Sequence, residues 1–495
     1  MTIEALKDLQ ELNKLALTPA EEETVLGIFE QMERREKGLL SLNTEDTEVM
    51  VHVMPLSNIL REDVRVQQFP LEDLLKSSPE HTEDSWQVPR LVKYGSVDVM
   101  RMIHNVRPDG VIAVDDLLFV KAAPTTAGSR ILEGFEPLFS AEAVERLEKS
   151  GYPVAGISAV GEFGLDLLGE FSYQGPTLEG TRLVGAAASL VADGSVEGAL
   201  NVDLNGTPRR AAAVSGVVFI KPTYGTVSRY GIIPCACSGE QVGVTARDTA
   251  TAAKLLSAIS GHDEKDGTSL PAEHYDYSDA GEIKGLRVCV IRELLDAASE
   301  EMRDLIEQAV QELKAAGAAV DTVSFPLVSQ AATAWQILLS AETCNNISRY
   351  DGVKFGHRAA SYSNIDELYI NSRTEGMNLL TKAVILYGSD VLSRDRYLNC
   401  YDRSLRVRRI VAEETAKLLK DYNLILTPPC SGRDYHEYPI AEAFDRVAEE
   451  GIFSAIPNLI GIPAIVVNGV QFMAAGLQEN TLLSAARALK EGSAR

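Results

Sequence analysis

The side chains in this sequence that could carry chemistry are few and scattered. Of six cysteines, Cys235, Cys237, Cys289, Cys344, Cys400 and Cys430, only Cys235-Ala236-Cys237 forms a close pair. No second Cys/His pair stands nearby to complete a tetrahedral zinc site, so these residues read as buried or half-buried thiols. Their number and scatter also speak against a disulfide framework. The seven histidines, His52, His81, His104, His262, His274, His357 and His436, contain no metal-spaced pair. No metal and no cofactor is therefore expected. The chain has no Gly-x-Ser-x-Gly elbow, no phosphate-binding Gly-x4-Gly-Lys-Ser/Thr loop and no dinucleotide fingerprint. Arg394, Arg396, Arg403, Arg406, Arg408 and Arg409 form a basic patch in a helical stretch. It reads as a solvated helix face that offsets local acidity rather than as an RNA contact.

The elements that must position any site come from a chain of 495 residues, 45% apolar and 24% charged. That composition can bury a substantial core. With 47 Lys+Arg against 71 Asp+Glu, the net charge is −24, which argues against nucleic acid as a direct partner because phosphate affinity comes from basic side chains. Residues 1–93 carry 19 acidic and 10 basic side chains, an excess that marks them as a separate unit. No apolar run reaches the roughly 18 residues of a membrane helix, and the N-terminus lacks a signal-peptide layout, so a cytoplasmic location is expected.

Leu6, Leu9 and Leu12 with Leu15 and Ala16 space an apolar stripe as a first helix. Thr18-Pro19-Ala20-Glu21 then supplies an N-cap, a first-turn proline and a capping-box glutamate, and Val25, Ile28, Phe29 and Met32 continue a second helix. From Asn43 to Pro89 the period is lost, which suggests an extended strap. Beyond Ala113, short apolar runs at 154–156, 216–220, 286–291, 318–323 and 424–426 read as strands, and 140–150, 249–260 and 300–316 as helices. Alternation of this kind gives an α/β domain, its mixed sheet covered by helices on both faces.

The run Gly216-Val217-Val218-Phe219-Ile220-Lys221-Pro222-Thr223-Tyr224-Gly225-Thr226-Val227-Ser228-Arg229-Tyr230-Gly231 resembles the core of the amidase signature family, and within it the glutaminase component of tRNA-dependent amidotransferases. The resemblance extends, in order, through Thr125-Thr126-Ala127-Gly128-Ser129, Gly161-Glu162-Phe163, Ile259-Ser260-Gly261, Ser348 to His357 and Gly469-Val470-Gln471-Phe472. The stretch His52-Val53-Met54-Pro55-Leu56-Ser57-Asn58-Ile59-Leu60-Arg61-Glu62-Asp63, ending near Val88-Pro89, resembles the small belt component of the same complexes. The resemblance implies a natural fusion: 1–93 a belt-like helical pair and strap, 94–112 a short joint, and 113–495 an amidase-like α/β domain.

That family uses a Ser–cis-Ser–Lys triad, in which a neutral lysine draws a proton from the nucleophile through the bridging serine. Carried over by motif, the lysine position falls on Asp115, with Lys121 six residues away as a weak substitute. The bridging serines fall on Leu183 and Val184, leaving Ser189 as the one hydroxyl of that run. The nucleophile falls on Thr207, in the altered turn Asp203, Asn205, Gly206, Pro208 and Arg209. The basic pair that would anchor a glutamine carboxylate falls on Ala383 and Val384. These departures lead to the expectation of a pseudoenzyme with no functional catalytic residue and a vestigial pocket, serving as a scaffold or regulatory subunit. Its partner would be the transferase-type component of an amidotransferase or a second copy. Two alternatives stand beside it: an amidase-type amidotransferase component with altered catalytic residues, using Asp115, Asp203 or Thr207, and a sensor of small amides or amino acids.

Overall fold

The computed structural model describes residues 1–54, 80–81, 86–87, 102–104, 107, 109–278 and 281–489. Its centre is an eleven-stranded mixed sheet. In chain order the strands are β1 (Met102–His104), β2 (Ile112–Asp115), β3 (Val154–Ser158), β4 (Gly198–Asp203), β5 (Val218–Lys221), β6 (Gln241–Ala246), β7 (Arg287–Ile291), β8 (Ala319–Val323), β9 (Leu424–Thr427), β10 (Ala464–Val467) and β11 (Val470–Met473). Across the sheet they run β8-β7-β9-β11-β10-β5-β6-β4-β2-β3-β1. Two parallel groups, β8-β7-β9 and β4-β2-β3, flank an antiparallel centre. The strands β2 to β6 are buried along their whole length, so helices cover both faces of this part of the sheet.

All five expected strands form. The run at 216–220 begins two residues late, because Gly216 is the left-handed cap (φ 67°) of the preceding helix. The expected helices form as Glu142–Lys149, Thr249–Ile259 and Glu300–Ala315. A long central helix, Val328–Ile347, has no counterpart among the sequence expectations. It is buried on nearly every side and so shows no 3.6-residue period.

At the N-terminus, α1 (Ile3–Leu12) and α2 (Pro19–Leu40) form, and α2 opens on the expected capping box between Thr18 and Glu21. Val25, Ile28, Phe29 and Met32 are all buried, and Phe29 meets Tyr387 edge-on at 5.6 Å. In α1, Leu6 is buried but Leu12 is 72% exposed, so that stripe is narrower than its spacing suggests. Most of the expected strap and joint lies outside the described residues.

The basic patch does something other than face solvent. Arg396 donates to Glu36 at 2.8 Å, and the Tyr387 hydroxyl donates to the same carboxylate at 2.6 Å. Arg403 donates to the carbonyls of Leu39 and Leu42, Arg406 to that of Thr47 and Arg408 to that of Val51. Four arginines therefore grip residues 36–51, mostly by main-chain oxygens, which corrects the reading of this patch as a solvated face. Arg394 alone of the six is exposed. Glu36→Ala should remove a buried acceptor and leave the Tyr387 hydroxyl unpaired, lowering the unfolding free energy by about 1–3 kcal/mol in urea denaturation. A loss within the ~0.5 kcal/mol typical of surface positions would show that the grip adds nothing to stability.

Candidate active site

The positions singled out by motif sit near the C-terminal ends of β2 and β4 and at the start of two short helices, α3 (Ala186–Ala192) and α4 (Thr207–Ser215). Asp115 closes β2, opposite Ser158 of β3, and the β2–β4 register brings Asn201 beside it. Its carboxylate accepts from Ser158 Oγ at 3.1 Å, from Asn201 Nδ2 at 2.9 Å and from the Val202 N–H at 3.2 Å. Asn201 in turn accepts from Thr245 Oγ1 at 2.7 Å. Burial pushes the Asp115 carboxyl up to about 7, against the pull of those donors. The surroundings are thus built for an acceptor, and the fixed Val202 N–H would face a cation unfavourably.

Thr207 is the first residue of α4. Its hydroxyl donates to the main-chain carbonyl of Asp166 at 2.9 Å. Gly206 before it has φ 80°, and a Cβ there would lie 2.4 Å from Cβ of Ser454, so only glycine fits the turn. The Gly206 N–H donates to Asp203 Oδ1 at 3.0 Å. Pro208, which in sequence looks like a disruption of this turn, stands in the first turn of α4, where an N–H has no helical partner to lose.

Asp115, Thr207 and Pro208 line one small cavity of about 40 Å³, together with Gly161, Gly185, Ala186, Ala187 and Ala188. The other singled-out residues do not line it. Asp203 and Arg209 form a fully buried ion pair, Nε to Oδ2 2.7 Å. Burial pushes Asp203 up, yet the Arg209 guanidinium holds it below the usual carboxylate range. Asp115 and Asp203 therefore differ in charge state: burial raises the first, and a paired cation lowers the second. Asn205 is buried beside the turn. Leu183 and Val184 are buried, Leu183 in a two-residue ladder with Leu178. Ser189 donates to Glu179 at 2.7 Å. Ala383 and Val384 are buried in the helix Leu379–Val391. Lys121 is exposed on a turn and does not stand in for the lysine. His357 pairs with Glu375 at 2.9 Å, a structural contact. Cys235 lies 3.2 Å from Thr343 Oγ1, and burial pushes the Cys237 thiol up to about 12.

Several groups near the site carry little signal in the sequence. Asp116 accepts from Thr126 and from the Gly128 N–H, and Glu162 accepts from Ser129 at 2.6 Å and from Thr381; burial pushes both carboxyls up to about 7. Asp166, which fixes Thr207 through its carbonyl, lies against Gly161, where a Cβ would come within 1.9 Å of its carboxylate. That close approach explains the glycine of the Gly161-Glu162-Phe163 motif. Lys221 is fully buried and burial lowers it to about 7, but its Nζ donates to the Pro222 carbonyl at 3.1 Å and it does not line the cavity. Its one sequence signal is a lysine inside an apolar strand, Phe219-Ile220-Lys221.

Chemically, the cavity offers a carboxylate poised near neutrality and a secondary hydroxyl held away from it by a main-chain bond. A family model described as Amidase matches residues 110–483, leaving the first 109 outside it. The A subunit of glutamyl-tRNA(Gln) amidotransferase from Halothermothrix orenii is 32% identical over 400 residues, 77% of this chain and 84% of the relative. The protein of the same name from Rubrobacter xylanophilus is 36% identical over 406 residues, 77% and 83% of the two chains. Among solved structures, the A subunit of glutamyl-tRNA(Gln) amidotransferase from Thermotoga maritima aligns with a TM-score of 0.66 at 28% identity, covering 79% of this chain and 86% of that one. A 6-aminohexanoate cyclic dimer hydrolase complexed with substrate aligns with a TM-score of 0.66 at 18% identity over 76% and 83%, a likeness of fold alone. The fold that positions Asp115 and Thr207 is accordingly shared with these relatives, and this chain belongs to the amidase signature family, with close resemblance to the amidotransferase A subunits.

Proposed function

We propose that this chain serves as an A-subunit-like component of an amidotransferase-type protein assembly and has given up serine-type amide hydrolysis. The observation that carries the reading is the cavity between Asp115 and Thr207, about 40 Å³ where small-molecule sites typically need about 300–1,000 Å³. It has room for a water or two rather than for a glutamine side chain. The hydroxyl of Thr207 is spent on Asp166, and the position of the base is a carboxylate already holding three donors. At the positions where the resemblance puts the basic pair that anchors a substrate carboxylate stand Ala383 and Val384, and an unpaired buried carboxylate costs several kcal/mol. The gripped N-terminal segment supports the belt-like reading of residues 1–93, in which the partner is a transferase-type component met in the cytoplasm.

A second reading keeps an amidase activity with altered catalytic residues. The likeness to amidotransferase A subunits speaks for it at least as strongly, and Thr207 does share a cavity with a carboxyl that titrates near 7. One assay separates the two. Under the first, purified chain releases no ammonia from glutamine or asparagine above background, and Thr207→Ala changes nothing. Under the second, ammonia release falls by about 10⁴–10⁶ on Thr207→Ala, the scale of triad losses in serine hydrolases.

A further inference from the structure

A second cavity, far larger than the one beside Asp115 and Thr207, lies away from the family's catalytic position. A cleft of about 820 Å³ lies at the opposite end of the strands, where β5 and β10 begin and end at Val218 and Val467. It is as large as sites that hold small molecules. Val214, Val217, Val218 and Leu489 supply apolar lining, and Arg182, Arg247 and Arg433 bring three guanidinium groups into a protein of net charge −24.

The acids around the cleft are already engaged. Glu301 pairs with Arg433 at 2.5 Å, Asp248 caps the helix Thr249–Ile259 by accepting from the Thr251 N–H at 2.7 Å, and Asp434 pairs with His436 at 3.1 Å. The remaining two cations are not neutralised in the same way. Among the described residues the Arg182 guanidinium has only long contacts, 3.5 Å to the Val214 carbonyl and 3.9 Å to Glu179. Arg247 is exposed and makes no hydrogen bond or ion pair with any described residue. Its guanidinium lies across Gly194 (φ 80°), where a Cβ would sit 2.5 Å from Nη2, so the glycine makes room for it. Ser215 also lines the cleft, and its buried hydroxyl has no hydrogen-bond partner among the described residues.

We propose that this cleft binds a small phosphate ester, with the phosphate held by Arg182, Arg247 and the Ser215 hydroxyl and the apolar part of the ligand laid on Val217 and Val218. Guanidinium forks match phosphate oxygens in pairs, and a terminal phosphate has enough acceptors for both forks and a hydroxyl. The site is separate from the Asp115–Thr207 cavity and stands whichever reading of that cavity holds.

The test is calorimetric titration of the full chain with ADP, alongside inorganic phosphate and succinate. Saturable ADP binding is expected, with inorganic phosphate competing weakly and succinate not binding. The double variant Arg182→Ala/Arg247→Ala should weaken ADP binding by at least ~10-fold, the scale of losing a charge-assisted hydrogen bond. Arg247→Lys, which keeps the charge but not the fork, should weaken it less, and both variants should melt like the parent, since neither arginine is an internal tie. No saturable ADP binding at millimolar ligand, tighter binding of succinate than of ADP, or unchanged affinity in the double variant would overturn the proposal.

Discussion

Arg209→Met should lower the unfolding free energy by about 3–5 kcal/mol, the cost of stripping a buried carboxylate of the guanidinium paired with it. Arg209 is fully buried and donates to Asp203 through Nε at 2.7 Å and Nη2 at 3.3 Å, to Gln471 at 2.9 Å, to the Ser454 carbonyl at 3.0 Å and to Asn458. Methionine fills most of the volume but satisfies none of these acceptors. The largest part of the cost is the bare Asp203 charge, because the guanidinium is what keeps that buried carboxyl ionised. Adding Asp203→Asn to Arg209→Met should therefore recover part of the loss, although Asp203→Asn alone destabilises by leaving Arg209 short of a counter-charge. Urea denaturation of the four proteins closes the cycle. If the double variant is no more stable than Arg209→Met, the packing of Arg209 matters more than its charge.

Asp115→Asn should change how stability depends on pH. The folded-state carboxyl titrates at about 7, above its ordinary value of 3.8. Below pH 3.8 it is protonated in both states and contributes no pH dependence. Between 3.8 and 7 the folded chain keeps a proton that the unfolded chain has released, so stability falls as pH rises and the loss is complete above 7. Asparagine removes that fall. Relative to the parent, Asp115→Asn should gain up to about 4 kcal/mol between pH 4 and pH 7.5, at 1.36 kcal/mol per pH unit. Glu162, which also titrates at about 7, bends the curve of both proteins alike, whereas Asp116 adds to the rise of Asp115 and so contributes to the difference. Denaturant midpoints at several pH values measure the difference, and parallel curves for the two proteins would mean that Asp115 is ionised in the folded state throughout.

Local signals in the sequence are good guides to local structure here. The start of α2 is legible because a capping box is satisfied within four residues, and the five expected strands at 154–156, 216–220, 286–291, 318–323 and 424–426 are legible because apolar runs between turn residues have few other uses. The strand Gly198–Asp203 is not, since Gly-Ala-Leu-Asn-Val-Asp mixes poor strand formers that pairing on both sides holds in place. The helix Val328–Ile347 is hidden because complete burial erases periodicity.

What the sequence determined by itself was the family, through motifs in fixed order, and the identity of the residues at the family's catalytic positions. What those residues meet was decided only by the tertiary structure. Asp115 and Asn201 are 86 residues apart in the chain, Thr207 and Asp166 41, and Arg396 and Glu36 360. Partners at such separations set burial, and burial sets both the charge state of Asp115 and the small volume left beside it. The same physics turned a basic run into a grip on the N-terminal segment and left two arginines facing a cleft at the far end of the sheet. A guanidinium reads alike in sequence whether it meets water, a carbonyl or a ligand, and only the fold distinguishes the three.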